Sequence, residues 1–412
     1  MNEFRRIMQR VLKNKWQEQW ISASVVLLIV GLLISRALLS FASVMMIIPF
    51  FSSYKYQPFK KQALAGIGLI LLPIIISGLW SEDTTEWWNS ISVKIPLLTL
   101  FLGLSVTTLT RYKWMQLACL YIIAITLASC WSFWQYVNNT SSIQAAYLKA
   151  KVLPTLADND YIRFSWMVVI AIVLAVRCVL EQTDKKIKML LSLLMAFLVV
   201  YLHLLASRTG LLCLYAAIFL YILYLIIIKK KWKLGIGFIV IIVAFITLVY
   251  HTMPTLHNRV QYIVYDFSNY SKGDFIPGYT DGARWLSLKA GYQITQQHPT
   301  TGVGFGDIRT AIDQWHTKEH PGSYAYERFL PANEWLVYGA GSGWPGLLIF
   351  TAGLLLLLYA VTAKNIFSVI LSVIAFIPFL VDDSLEGQYG VVILAFIAFF
   401  GQQNFQQTVK TP

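Results

Sequence analysis

Charge is what this chain has least of. Asp, Glu, Lys and Arg supply only 13% of its 412 residues, about half the share found in an ordinary soluble domain. A soluble protein of this length needs polar surface for two or three domains, and the chain does not have it. Cysteine is also scarce. Cys119, Cys130, Cys178 and Cys213 all fall inside apolar runs, without metal-ligand spacing and without a pair in a polar loop. That excludes a disulfide-stapled fold and leaves the four as apolar filler. Repeats of fixed period and low-complexity tracts are missing. So is sustained period-2 alternation, which argues against a membrane β-barrel.

What is present is apolar. Hydrophobic residues make up 57% of the chain, with 24 Phe, 22 Tyr and 14 Trp. A helix needs about 20 apolar residues to cross roughly 30 Å of hydrocarbon. Twelve runs qualify, at 20–35, 37–52, 63–80, 91–109, 115–134, 164–180, 189–206, 209–228, 234–251, 334–360, 365–381 and 388–403. The first two are parted only by Ser35 and Arg36 and predict a tight hairpin. The first run follows a basic segment and has no small-residue cleavage site, so it reads as a retained span rather than a signal peptide. The fold class expected is all-α: a polytopic bundle of about twelve transmembrane helices with one large, partly helical periplasmic loop. Its parts are 1–251 (spans one to nine), 252–333 (the loop) and 334–412 (spans ten to twelve and a cytoplasmic tail).

The net charge of +13 divides unevenly. With the N-terminus inside, the inner segments hold 20 of the 33 Lys and Arg and four of the 20 acidic residues, so that side carries +16 and the other −3. The Lys229-Lys-Lys-Trp-Lys233 run is the clearest inner loop. By the positive-inside rule both termini are cytoplasmic. Because the basic residues are spread over many short loops and not along one face, they do not predict a nucleic-acid partner.

Two outer loops are long, 135–163 and 252–333. Pro254, Pro277, Pro299, Pro321 and Pro331 cut the second into short pieces, and 281–297 has helical spacing. A loop of this length is usually functional. It contains Gly302-Val-Gly304-Phe-Gly306-Asp307. No strand precedes these glycines, so they read as a tight turn returning a helix to the membrane and not as a nucleotide loop.

Charges held near the apolar layer need a partner or a ligand. Arg36, Arg163, Arg208 (in Ala-Ser207-Arg-Thr-Gly210), Asp382, Asp383 and Glu386 all sit at outer span ends. The alternative for each arginine is that it snorkels to the interface. Arginine on the outer side runs against the positive-inside rule, and its planar fork suits phosphate. Arg163, Arg208 and Arg284 are therefore candidates for binding an anionic lipid diphosphate, with Lys94 a weaker one that reads equally as a snorkelling residue.

These residues carry a resemblance. Ser207-Arg-Thr-Gly210, Asp281-Gly-Ala-Arg284, Pro299-Thr-Thr-Gly-Val-Gly-Phe-Gly306, Pro331-Ala-Asn-Glu-Trp-Leu336, Asp158-Asn-Asp-Tyr-Ile-Arg163-Phe-Ser165 and Asp382-Asp-Ser-Leu-Glu386 occur in the order seen in the O-antigen ligase and polymerase superfamily. The chain resembles these integral-membrane glycosyltransferases of the bacterial inner membrane. The resemblance implies transfer of a glycan from an undecaprenyl diphosphate carrier to an acceptor hydroxyl at the periplasmic face, with no cofactor and no metal. The acceptor is a lipid A core sugar for a ligase, a carrier-linked repeat for a polymerase, or a protein hydroxyl. Arg163, Arg208 and Arg284 would hold the diphosphate. Asp281 would orient Arg284 from three residues away on one helix. Ser207, Asp382 and Glu386 would support them.

One position departs from the family pattern. A histidine usually stands between the Pro and the Asn at the entrance to span ten, where this chain has Ala332 beside Asn333. Three readings compete: a deliberate replacement of that histidine, which the fit of Pro331, Asn333 and Leu336 favours; another base, with Glu334, His316 and His320 as candidates; or a degenerate member with little activity. The rival of another class is a lipid-linked glycan transporter or flippase. Against it, the two halves of the chain do not match, and the ionisable residues gather at the outer surface instead of at mid-depth.

Overall fold

The computed structural model describes residues 2–51, 58–104, 109–148, 152–156, 160–271, 280–362 and 365–401. Among them there are sixteen α-helices and no strand. The first five are α1 (Asn2–Ile34), α2 (Arg36–Phe51), α3 (Pro58–Ser77), α4 (Thr84–Leu104) and α5 (Arg111–Asn138). The short α6 (Thr140–Tyr147) precedes α7 (Tyr161–Glu181), α8 (Lys185–Leu205), α9 (Arg208–Leu223) and α10 (Trp232–Thr252). Then come α11 (Pro254–Ser271), α12 (Thr280–Gln297) and α13 (Ile308–Glu319), followed by α14 (Glu334–Val361), α15 (Ile366–Val381) and α16 (Gln388–Gly401).

Each of the twelve apolar runs falls on one of these helices. Seven helical segments are long and apolar enough to cross a membrane: Lys15–Ile34 of α1, α5, α7, α8, α9 with its wider-wound extension to Ile228, α10 and α14. Apolar but shorter are α2, Lys61–Ser77 of α3, α15 and α16. The chain is a multi-pass membrane protein. The long segment 252–333 is largely helical, as α11, α12 and α13, and α12 covers the stretch whose spacing predicts a helix.

Burial orders the bundle. Every residue of α7 from Phe164 to Ala175 is buried or nearly so, and α16 is buried from Tyr389 to Gly401. These two helices form the centre, where apolar side chains line every face. By contrast α10 exposes Ile239, Val240, Ile241, Val243 and Leu248, an apolar surface suited to lipid and not to water. The hairpin is tight: only Ser35 separates α1 from α2, and the two helices pack together. Helices α3 and α14 cross closely through Gly66 and Gly353. A methyl group on either would lie 2.8 Å from the other's carbonyl oxygen, so the backbones meet where a side chain would have held them apart.

One end of the bundle is basic. There Arg177 pairs with Glu181 at 3.0 Å and its guanidinium lies 4.3 Å from the Trp114 ring. Asp184 caps α8 through the backbone N–H of Lys186, as a carboxylate does at a helix N-terminus. The opposite end gathers the starts of α4, α7, α9, α14 and α16, the end of α15, and α12 and α13.

Candidate functional site

The turn between α15 and α16 organises this second end. It runs from Asp382 to Gly387 and winds one tight turn over Ser384–Glu386. Its first two carboxylates face arginines. Asp382 Oδ2 lies 3.6 Å from Arg163 and Oδ1 lies 3.8 Å from Arg284, so one side chain spans α7 and α12. Arg163 also pairs with Asp160 at 2.6 Å and Asp383 at 3.8 Å, and donates to the Asp383 carbonyl. Asp160 caps α7 as well, its Oδ1 accepting the Arg163 N–H at 3.1 Å.

The arginines therefore differ. Arg163 is largely buried and surrounded by three acids, which makes it a clamp fixing the turn to α7. Arg284 is about one-third exposed and donates to the Val381 carbonyl at 3.2 Å. Arg208, the first residue of α9, is exposed. It starts beside α7 because Ser207 donates to Ser165 Oγ at 2.8 Å and Gly210 lets α9 approach Ser165. Asp281 lies in α12, but its side chain is outside the described residues, as are Asp158 and Asn159 of the motif before α7. The described partners of Arg284 are Val381, at the end of α15, and Asp382, at the start of the acidic turn.

The third carboxylate of the turn points elsewhere. Glu386 pairs with Lys94 of α4 at 2.7 Å, with side-chain exposures of 9% and 1%. Lys94 is therefore not a snorkelling residue but a buried ion-pair partner. Glu334 is fully buried at the start of α14. Its Oε2 accepts the Leu385 N–H at 3.1 Å, and its Oε1 has no partner among the described residues. Next to it, Asn333 caps α14 by accepting the Leu336 N–H at 3.1 Å and donates to the Leu380 carbonyl at 2.9 Å. Ala332 is buried, and its N–H donates to Ser287 Oγ at 3.1 Å.

The histidines belong to a different network. His316 is buried at the end of α13, with Nδ1 3.0 Å from Ser323 Oγ and Nε2 without a partner among the described residues. Burial and the nearby Arg328 hold its pKa below the usual histidine value. His320 packs on Trp315 and is also lowered, by burial and Lys289. Asp383 shifts the other way: burial and the adjacent Asp382 raise it to about 7.

The glycine segment docks this assembly onto α14. Val303 N–H donates to the Ala340 carbonyl and Gly304 N–H to that of Gly341, at 2.8 and 3.0 Å. Those carbonyls are accessible because α14 breaks at Ser342 and Gly343, the latter at φ 67°. Gly302 and Gly304 also take positive φ, 66° and 99°, which glycine adopts without steric cost. Asp307 closes the segment by accepting the N–H groups of Glu82 and Asp83 at 2.8 and 3.0 Å. Behind it lies a cavity of about 400 Å3, reached by Glu86, Asn89, Ser90, Phe305, Arg309 and Glu386.

The sequence motif before α7 contains Asp160 and Ser165 but gave neither a role, and Ser287 was not singled out. The available signal was local for Asp160, three residues before Arg163 at a helix start. Ser165 and Ser287 acquire roles only through contacts distant in the chain. Among the described residues no three His, Cys, Asp or Glu side chains are grouped as metal ligands would be.

No curated protein matches the chain. A family model described as O-antigen ligase matches residues 190–351. That stretch runs from α8 into α14 and includes Arg208, Arg284, His316, His320 and Ala332–Glu334. Lys94, Arg163 and the acidic turn fall outside it. Over residues 190–351 the chain is similar to the O-antigen ligase family, in keeping with the resemblance to the O-antigen ligase and polymerase superfamily.

Proposed function

We propose that this glycosyltransferase-like membrane enzyme moves a glycan from an undecaprenyl diphosphate carrier to a hydroxyl of a lipid A core sugar. The reaction takes place at the periplasmic face of a bacterial inner membrane, with all twelve apolar helices spanning and both termini cytoplasmic. The observation that carries the reading is the acidic turn, which joins Arg163 and Arg284 on one side to Lys94 and Glu334 on the other. Arg284 and Arg208 are exposed enough to receive a diphosphate by charge-assisted hydrogen bonds. Arg163 keeps the turn in place.

A second feature favours a lipid-linked donor. A cavity of about 600 Å3 lies between α7, α8, α9, α10 and α15, with an almost wholly apolar lining that includes Leu214, Ile218, Ile241 and Phe245. Leu214 is further along the helix that begins at Arg208, so a prenyl chain can follow α9 from its head group into the bundle.

In the transfer, the acceptor oxygen bonds the anomeric carbon as the bond from that carbon to the diphosphate oxygen breaks. The diphosphate leaves with the electron pair, its charge offset by Arg208 and Arg284. The acceptor proton passes to a general base. Glu334 is the base we assign, since Ala332 cannot accept a proton and the two histidines sit in a separate network. The lone Oε1 of Glu334 is the group that would receive it.

The test is transfer by purified protein from a lipid-linked glycan to lipid A core. Glu334→Gln should lose about 100-fold or more in rate, the size of a general-base contribution, and adding Ala332→His to it should restore part of the loss. Wild-type rates in Glu334→Gln would remove the assignment. A ladder of repeats on the carrier, with no product on lipid A core, would make the enzyme a polymerase.

A further inference from the structure

Beyond the diphosphate lies the question of where the attacking sugar sits. The 400 Å3 cavity is large enough for a small organic ligand, which occupies roughly 300–1,000 Å3. The turn Ser384–Glu386 forms a partition. Asp382 and Asp383, before it, face Arg163 and Arg284, while Glu386, at its end, reaches the cavity. The remaining polar lining comes from the first turns of α4, as Glu86, Asn89 and Ser90, and from Arg309 at the start of α13.

The charges in this lining are compensated. Glu86 lies 3.7 Å from Arg309, and Glu386 lies 2.7 Å from Lys94. Two carboxylates facing the space disfavour an anion such as a diphosphate, while a neutral molecule loses nothing to them. Each paired carboxylate still has lone pairs for hydroxyl donors, and Asn89 and Ser90 both donate and accept. The buried Phe305 supplies an apolar wall against which the C–H face of a pyranose can pack. Val337, one helical turn after Glu334 on the same side of α14, also lines the cavity. A sugar there packs against α14 one turn from Glu334, in a space that neither Arg163 nor Arg284 lines.

We propose that this cavity is the acceptor subsite and that it takes a neutral, polyhydroxylated sugar unit held by Glu386, Asn89, Ser90 and Phe305. This rests on the glycosyltransferase reading for its role in transfer, but the binding itself can be measured without turnover.

The experiment is saturation-transfer NMR on the full chain in nanodiscs. The probes are neutral trisaccharides of glucose, galactose and mannose, with inorganic diphosphate as the contrasting ligand. At least one trisaccharide should bind. Asn89→Leu, an exposed position on the cavity wall, should weaken that trisaccharide at least tenfold and leave diphosphate unchanged. Arg284→Ala should do the reverse. Failure of all three sugars to bind, or equal binding to wild type and Asn89→Leu, overturns the proposal. Sugar binding lost in Asn89→Leu, with no transfer by the wild-type enzyme, supports the subsite and counts against the transfer reading alone.

Discussion

Lys94 and Glu386 form a 2.7 Å ion pair with both side chains almost wholly removed from solvent. Desolvation of each charge is offset only while the other is present. Lys94→Met should therefore destabilise the protein by about 3–5 kcal/mol, the usual result of leaving one buried charge alone. Lys94→Met combined with Glu386→Met should recover most of that loss. Thermal unfolding in detergent measures both, and a double variant no more stable than Lys94→Met would show that the pair is not an independent unit.

Asp383 links the arginine cluster to pH. Its carboxyl is raised to about 7 by burial and by Asp382. The folded protein holds this proton more tightly than the unfolded chain does. The stability it contributes is full below the ordinary carboxylate range and falls as pH rises through about 7. Donor binding should follow the same direction, because deprotonation adds an anion beside Arg163 and the diphosphate. Donor affinity measured from pH 6 to 8 should decline in wild type and flatten in Asp383→Asn. An unchanged slope in the variant would assign the titration to another group.

How much of this could be read in the residues follows from what each depends on. All twelve apolar runs are on helices because a long apolar run is its own local signal. Arg163 and Asp382 were legible as unusual charges at span ends. That they touch was not, since α7 and the turn before α16 are far apart in the chain and only packing joins them. Lys94 shows the limit most clearly: a lone lysine near a span end reads as snorkelling until its distant partner Glu386 is seen. Grouping His316 and His320 with Glu334 reflected shared chemistry, while the fold ties the histidines to Ser323 at the end of α13. Asp281, expected by helical spacing to orient Arg284, has its side chain outside the described residues; the partners described for Arg284 are Asp382 and Val381.

The glycine segment depends on Asp307 to hold it against the turn before α4. Asp307→Ala removes the acceptor of two backbone N–H bonds, at 2.8 and 3.0 Å. Both groups are solvent-accessible, so water replaces part of the loss, and the cost should be about 1 kcal/mol per bond. The effect should be local: faster hydrogen exchange over 300–308 and the first turn of α13, with the α7–α16 centre unchanged. Acceptor binding should weaken too, because Phe305 and Arg309 flank Asp307 in the cavity wall. Unchanged exchange in this segment would mean that Val303 and Gly304 alone anchor it.

The contrast between the arginines yields the sharpest comparison. Arg163 is largely buried among Asp160, Asp382 and Asp383, whereas Arg284 is about one-third exposed and, among the described residues, pairs with Asp382 at 3.8 Å. Arg163→Ala removes the partner of Asp160 and Asp383 and leaves Asp382 with Arg284, and should lower stability by about 3 kcal/mol or more. Arg284→Ala removes a partly solvated contact and should cost less than about 1 kcal/mol, yet it takes a fork from the diphosphate. Transfer should then be lost in a protein that unfolds at nearly the wild-type temperature. Arg284→Lys keeps the charge without the planar fork and should recover only part of the activity. Measuring unfolding temperature and donor affinity on the same samples separates the two roles: a clamp lowers both, and a ligand contact lowers affinity alone. If Arg163→Ala retains its unfolding temperature while losing donor binding, Arg163 is itself a diphosphate ligand and its three acids are displaced when the donor arrives.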